Sequence, residues 1–82
     1  MMDASALKEF VQRFTPEQFR YSRKNYIGLS SEAMHFELGV SRTACYKWER
    51  GSRPGKASIE KLLARYGTEL EHYRRDFHDQ KL

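Results

Sequence analysis

The four residues Leu38-Gly39-Val40-Ser41 constrain the fold of this chain most strongly, because they separate two short stretches with helical periodicity. Four residues leave room only for a tight turn. Glycine can adopt the positive φ with which a helix ends, and a serine hydroxyl can cap the helix that follows. Val40 is apolar and is expected to pack inward. Two helices joined in this way cross at a steep angle and share a small core.

Helical patterns fill the rest of the chain as well. Apolar residues recur every three or four positions, and capping residues, Pro or Gly mark the ends of each run. Asp3 or Ser5 can cap the first helix, Thr15 and Gln18 form a capping box for the second, and Thr68 with Glu71 does so for the last. The pattern predicts six helices, at 4–14, 16–26, 30–38, 42–50, 58–66 and 69–79. The predicted fold class is therefore all-α, a compact bundle of five to six short helices that contains a helix-turn-helix.

Helix 42–50 divides into two faces. Ala44, Cys45 and Trp48 share one side, which should face the core. The other side carries no acid and combines cations, a hydroxyl and a tyrosine, supplied by Thr43, Tyr46, Lys47 and Arg50, with Arg42 at the N-terminal tip. Such groups read base edges and phosphates in a major groove, whereas a merely solvated helix usually mixes both signs of charge.

The placement of charge agrees with a polyanionic partner. The net charge is +4, and residues 20–56 hold eight basic and three acidic residues, so all of the excess lies in the middle of the chain. A basic surface of this kind favours DNA, because binding releases counterions from phosphates. A solubilising surface is the alternative on charge alone.

The stretch Leu29–Gly51 resembles the helix-turn-helix of the Cro/CI-type, or xenobiotic-response-element (XRE), regulators of phages and bacteria. The strongest matches are Leu29-Ser30, the turn at 38–41, and Glu49-Arg50-Gly51 followed by Pro54. The likeness covers about residues 19–67. It implies a lambda-repressor-like fold in a single domain, 1–82, whose terminal helices, 4–14 and 69–79, complete the core or form a dimer.

The resemblance also implies roles for individual residues. Helix 42–50 would be the recognition helix, with bases contacted by Arg42, Thr43, Tyr46 and Lys47. Phosphates would be contacted by Ser31, Ser41, Arg50, Arg53 and Lys56. Glu49 would pair with a basic residue of the first family helix, here Lys24. His35 stands where the family has alanine, so it should either tilt the helix crossing or point its ring to solvent.

Other chemistry is not expected. The three histidines show no metal-ligand spacing with Cys45 or the acids, and Cys45 and Trp48 are assigned to the core rather than to redox sensing or base stacking. Tyr46 can contact a base or phosphate, or simply cover the edge of the core. We expect no enzyme activity, cofactor, small-molecule ligand or membrane span. A lone cysteine and no recognisable signal peptide favour the cytoplasm.

The leading functional prediction is a sequence-specific transcriptional regulator, a homodimeric repressor of phage or mobile-element type acting on an inverted-repeat operator. One short helix reads few base pairs, so a dimer contact is expected. The C-terminal stripe Leu70, Tyr73 and Phe77 is the predicted contact, and completion of a monomer core is the alternative. Two other functions remain open: an antitoxin-like module whose terminal helices bind a partner protein, and a nonspecific architectural DNA binder.

Overall fold

A computed structural model describes residues 4–79 of the chain, and every regular element in that range is helical. Five α-helices follow one another, and a single π-helical turn, Arg23–Ile27, extends the second of them. The α-helices are α1 (Ala4–Gln12), α2 (Pro16–Ser22), α3 (Ser31–Leu38), α4 (Arg42–Trp48) and α5 (Lys56–Asp79). The predicted all-α bundle is confirmed. None of the helices in this range is long and apolar enough to cross a membrane.

The turn between α3 and α4 forms as the sequence predicts. Gly39 has φ +69°, the left-handed conformation that ends α3. The Ser41 hydroxyl accepts a hydrogen bond from the backbone N–H of Ala44 at 3.0 Å, so it caps α4. Val40 between them is half-buried. These local signals fix the relative placement of α3 and α4, the two helices of the helix-turn-helix.

The capping box at the start of α2 is also confirmed. The Thr15 N–H donates to Oε1 of Gln18 at 2.8 Å, and the Gln18 N–H donates to Oγ1 of Thr15 at 3.2 Å. Asp3, one of the two predicted caps of α1, lies outside the described residues.

The second helix does not continue as an α-helix to Tyr26. It widens into the π-helical turn, in which the Gly28 N–H bonds to the Arg23 carbonyl at 2.7 Å, and Gly28 then ends it with φ +76°. Because each π-turn inserts one residue, it rotates the side chains relative to an α-helical register. Arg23, where the turn begins, still follows Phe19 in α-helical register and is buried on the same side of the helix.

The fifth and sixth predicted helices adjoin within α5, and a kink separates them close to the predicted boundary. α5 begins at Lys56, two residues before the predicted start at Ser58, and the kink lies at Tyr66, where φ is −122° and ψ is 21°. The predicted Thr68–Glu71 capping box does not form. Glu71 is buried, and its carboxylate accepts instead from Arg74 at 2.6 Å and Arg75 at 3.2 Å. Gly67, directly after the kink, does not adopt the positive φ with which a glycine ends a helix.

The core draws on all five helices. The buried apolar residues are Leu7, Val11, Phe14, Phe19, Met34, Leu38, Cys45, Trp48, Ile59, Leu62, Tyr66, Leu70 and Tyr73. α1 packs along the C-terminal half of α5, and the rings of Phe10 and Phe14 meet Tyr73 edge-on at 5.4 and 5.7 Å. The terminal helices thus close the bundle on the side away from α4.

Candidate nucleic-acid interface

The two faces of α4 lie as the sequence predicts. Cys45 and Trp48 are 1% and 4% exposed and belong to the core, whereas Thr43 and Lys47 are exposed. Tyr46 is 51% exposed and points outward rather than covering the edge of the core. The cationic side of α4 is therefore available to a partner.

Tyr46 and Arg50 form one unit on this surface. The guanidinium carbon of Arg50 lies 4.1 Å from the centroid of the Tyr46 ring, a cation–π distance. The stacking restricts both side chains before any partner binds, which reduces the conformational entropy lost on binding. The aromatic hydroxyl and the guanidinium reach the surface together.

Arg42 has a partner that the sequence analysis missed. Its Nη2 donates to Oε1 of Glu32 on α3 at 2.5 Å. The acid-free face of α4 is thus bordered by a carboxylate from the neighbouring helix. Ten residues separate the two side chains in sequence, and only the crossing of α3 and α4 brings them together.

The ion pair with Glu49, which lies beneath the interface, is formed by Arg23 and not by Lys24. Arg23 donates through Nε and Nη2 to the two carboxylate oxygens of Glu49, at 2.6 and 3.0 Å, and through Nη1 to the Leu29 carbonyl at 2.8 Å. The prediction of Lys24 is wrong because Arg23, four residues after Phe19, shares the buried side of the helix with it, while Lys24 is exposed. The bidentate geometry that lysine cannot provide is present.

Ser31 is occupied within the protein. Its hydroxyl donates to Oε2 of Glu49 at 3.2 Å, so the side chain predicted to contact a phosphate joins the Arg23–Glu49 pair. Burial raises the pKa of Glu49, but the hydrogen bond and charge of Arg23, helped by Ser31, outweigh it and hold that pKa below its usual range.

A fall in pH should therefore destabilise the part of the fold around Glu49. A carboxyl whose folded pKa is depressed contributes stability that is present above its unfolded pKa, about 4.3 for glutamate, and is lost as the pH falls through the folded pKa. Glu71, whose pKa is lowered chiefly by the hydrogen bond from Arg74 against the opposing effect of burial, acts in the same direction. Unfolding free energy measured by urea titration should fall below pH about 4, and Glu49→Gln should reduce that pH dependence. An unchanged dependence in the variant would contradict the role of Glu49.

An open basic hollow lies beside the exposed face of α4. Its lining includes Arg20 and Lys24 from the second helix, Ser31 at the start of α3, and Tyr46 with Arg50 from the end of α4. Arg20 and Lys24 are exposed cations that no prediction assigned to a DNA contact. Their i, i+4 spacing was the available signal, since it places both on one side of a helix.

The remaining predicted phosphate contacts have different surroundings. Arg53 and Lys56 are exposed after α4, whereas the Ser41 hydroxyl is used as the cap of α4. The two predicted cations are thus accessible after α4, and the hydroxyls of Ser31 and Ser41 serve the fold.

His35 lies against the turn rather than in solvent, so of the two predicted alternatives the outward-pointing ring is excluded. Its side chain is 16% exposed, and Nδ1 lies 3.2 Å from the Val40 carbonyl. A carbonyl only accepts, so Nδ1 carries the hydrogen in this contact. Nε2 is buried without a hydrogen-bond partner within residues 4–79, and it lies 3.7 Å from Oε1 of Glu32.

The predicted dimer residues are mainly internal to one chain. Leu70 and Tyr73 are 2% and 6% exposed and belong to the core, which is the alternative that the sequence analysis kept open. Phe77 is half-buried, and its ring lies 5.4 Å from that of Phe10.

A short capped helix held across a second helix, with exposed cations on its outer face and more on both sides, defines a helix-turn-helix DNA-binding protein. A family model described as "Helix-turn-helix" matches residues 23–73, more than half of the chain. The chain belongs to this XRE-type helix-turn-helix family and is a DNA-binding transcription regulator. No curated protein and no solved structure matches the chain significantly.

Proposed function

We propose that this regulator is a dimeric repressor that inserts α4 into the major groove of each half of an inverted-repeat operator. The observation that carries the proposal is the exposed face of α4, where Thr43, Tyr46 and Lys47 stand outside the core. Lysine and arginine on such a helix hydrogen-bond to guanine, and threonine contacts thymine methyl groups. Phosphate contacts from Arg50, Arg53 and the basic hollow would fix the register.

Pairing of two copies follows from the length of the reading helix. α4 has only seven residues, so one copy reads too few base pairs for a specific site, and two copies one helical turn apart read twice as many. Phe77 and Phe10, which keep part of their surface exposed beside each other, are the remaining apolar candidates for this contact. Sedimentation of the protein at micromolar concentration, with and without operator DNA, tests the proposal. A monomer in both conditions would contradict it.

Replacing Lys47 or Arg42 with alanine should weaken binding to the selected operator by about 1–3 kcal/mol each and relax the base preference at the position read. The operator can be selected from a random duplex library, and the affinities measured by gel shift or fluorescence anisotropy.

Arg53→Ala is the matched control, because it removes one cation outside the reading helix. It should weaken all duplexes about equally and reduce the slope of log K against log salt by about one unit. If all three variants bind like the wild type, α4 is not the reading helix.

The antitoxin-like alternative assigns the terminal helices to a partner protein. Their main apolar residues, Leu7, Val11, Leu70 and Tyr73, are buried inside the chain, which leaves less surface for a partner protein. A nonspecific architectural binder would show equal affinity for random and selected duplexes, which the same measurements test.

A further inference from the structure

We infer that Glu32 is a specificity-determining residue. Its ion pair with Arg42 orients the guanidinium to hydrogen-bond to one base and weakens the attraction of that guanidinium to phosphates. The inference rests on the proposed function, since it assigns a role to a neighbour of the reading face. It is carried by the contact between Glu32 Oε1 and Arg42 Nη2 across the helix-turn-helix. Glu32 is 52% exposed and Arg42 70% exposed at the side chain, so the pair lies at the surface that meets DNA.

The surroundings of Glu32 direct its carboxylate to Arg42. On its other side, Nε2 of His35 lies 3.7 Å from the same oxygen. That separation is longer than a hydrogen bond, and Nε2 has no hydrogen-bond partner within residues 4–79. Arg42 is therefore the donor that fixes the position of the carboxylate.

The pair leaves Arg42 able to read a base. A guanidinium has five N–H donors in a rigid plane, and the contact with Glu32 uses one nitrogen, so other donors remain for the N7 and O6 acceptors of guanine. A guanidinium already neutralised by a carboxylate gains little from a phosphate oxygen, because that contact would only exchange one anion for another. This loss of attraction acts against sequences that lack the correct base, because there Arg42 has only phosphates to contact.

Glu32→Gln tests the inference, because glutamine has nearly the same shape as glutamate but carries no charge. The variant should bind a pool of random duplexes of about 20 base pairs, two helical turns, about two- to fivefold more tightly, the factor expected from one exposed ion pair. Its affinity for the operator selected by the wild-type protein should rise less. The ratio of the two affinities, which measures specificity, should therefore fall by a similar factor.

Glu9→Gln is the matched control for the change in net charge. Glu9 forms an exposed ion pair with Arg13 at 2.8 Å, but on α1, which packs on α5 away from the reading face. It should leave the specificity ratio unchanged. Circular dichroism melting of both variants checks that folding is intact.

The double variant E32Q/R42A separates this inference from the proposed function. If Glu32 acts through Arg42, the E32Q substitution changes neither affinity when Arg42 is already alanine. An E32Q effect that persists in the R42A background, or one equal to that of E9Q, would overturn the inference while leaving DNA reading by α4 intact. If R42A and K47A bind like the wild type, the proposed function fails and the inference fails with it.

Discussion

Arg23→Ala should lower the free energy of unfolding by about 3 kcal/mol or more, the largest effect expected of any polar substitution in the chain. The side chains of Arg23 and Glu49 are 11% and 13% exposed. Removal of the guanidinium leaves the Glu49 carboxylate largely desolvated, with the Ser31 hydroxyl as its remaining side-chain donor. It also removes the bond from Nη1 to the Leu29 carbonyl, just before α3.

Thermal unfolding followed by circular dichroism measures this effect. In a domain of this size each kcal/mol shifts Tm by about 4–8 °C, so the expected shift exceeds about 12 °C. Lys24→Ala is the control: Lys24 is an exposed neighbour, and its loss should cost less than about 0.5 kcal/mol. Equal losses of stability in the two variants would indicate that Lys24 rather than Arg23 pairs with Glu49.

The double variant R23A/E49A sharpens the interpretation. Once Glu49 is also removed, no buried charge remains uncompensated, so the double variant should be more stable than the sum of the two single losses predicts. Arg23→Lys should retain part of the stability, because a single ammonium replaces the charge but not the two parallel hydrogen bonds.

The wrong assignment of Lys24, instead of Arg23, as the partner of Glu49 illustrates the limit of prediction from the sequence. The caps at Thr15 and Ser41 and the left-handed Gly39 were predicted correctly, because each depends on the chemistry of a few neighbouring residues. A π-helical turn has no comparable signature, so the end of the second helix was not predicted. The partner of Glu49 did have a signal, because Arg23 follows the apolar Phe19 by four residues and shares its side of the helix, whereas Lys24 was assigned from the family resemblance alone.

The break predicted at Gly67 is present as the kink at Tyr66, but the new cap predicted after it is not. Gly followed by Thr and, three residues later, Glu indicates a helix end and a capped start, yet the helix resumes directly after the kink. Tyr66 and Leu70 both pack in the same core, and these tertiary contacts act beside the local preference. The Arg42–Glu32 pair was missed because it depends on how two helices cross, which periodicity does not specify.

Leu70→Ala tests whether the stripe on the C-terminal half of α5 serves the fold or the dimer. Leu70 is 2% exposed, so truncation should cost about 2–5 kcal/mol by loss of burial and creation of a cavity. Leu70→Met, which preserves volume, should cost less than about 1.5 kcal/mol. His72→Ala, at an exposed position two residues later, should change stability by less than about 0.5 kcal/mol.

The dependence on protein concentration distinguishes the two roles. A residue of the core within one chain shifts the urea midpoint equally at low and high protein concentration, whereas a residue of a dimer contact shifts it in a concentration-dependent way, because association stabilises by mass action. We expect the shift for L70A to be the same at both concentrations. If L70A instead kept the stability of the monomer and abolished self-association, Leu70 would lie in a dimer contact, and α1 would need another partner to cover Val11 and Phe14.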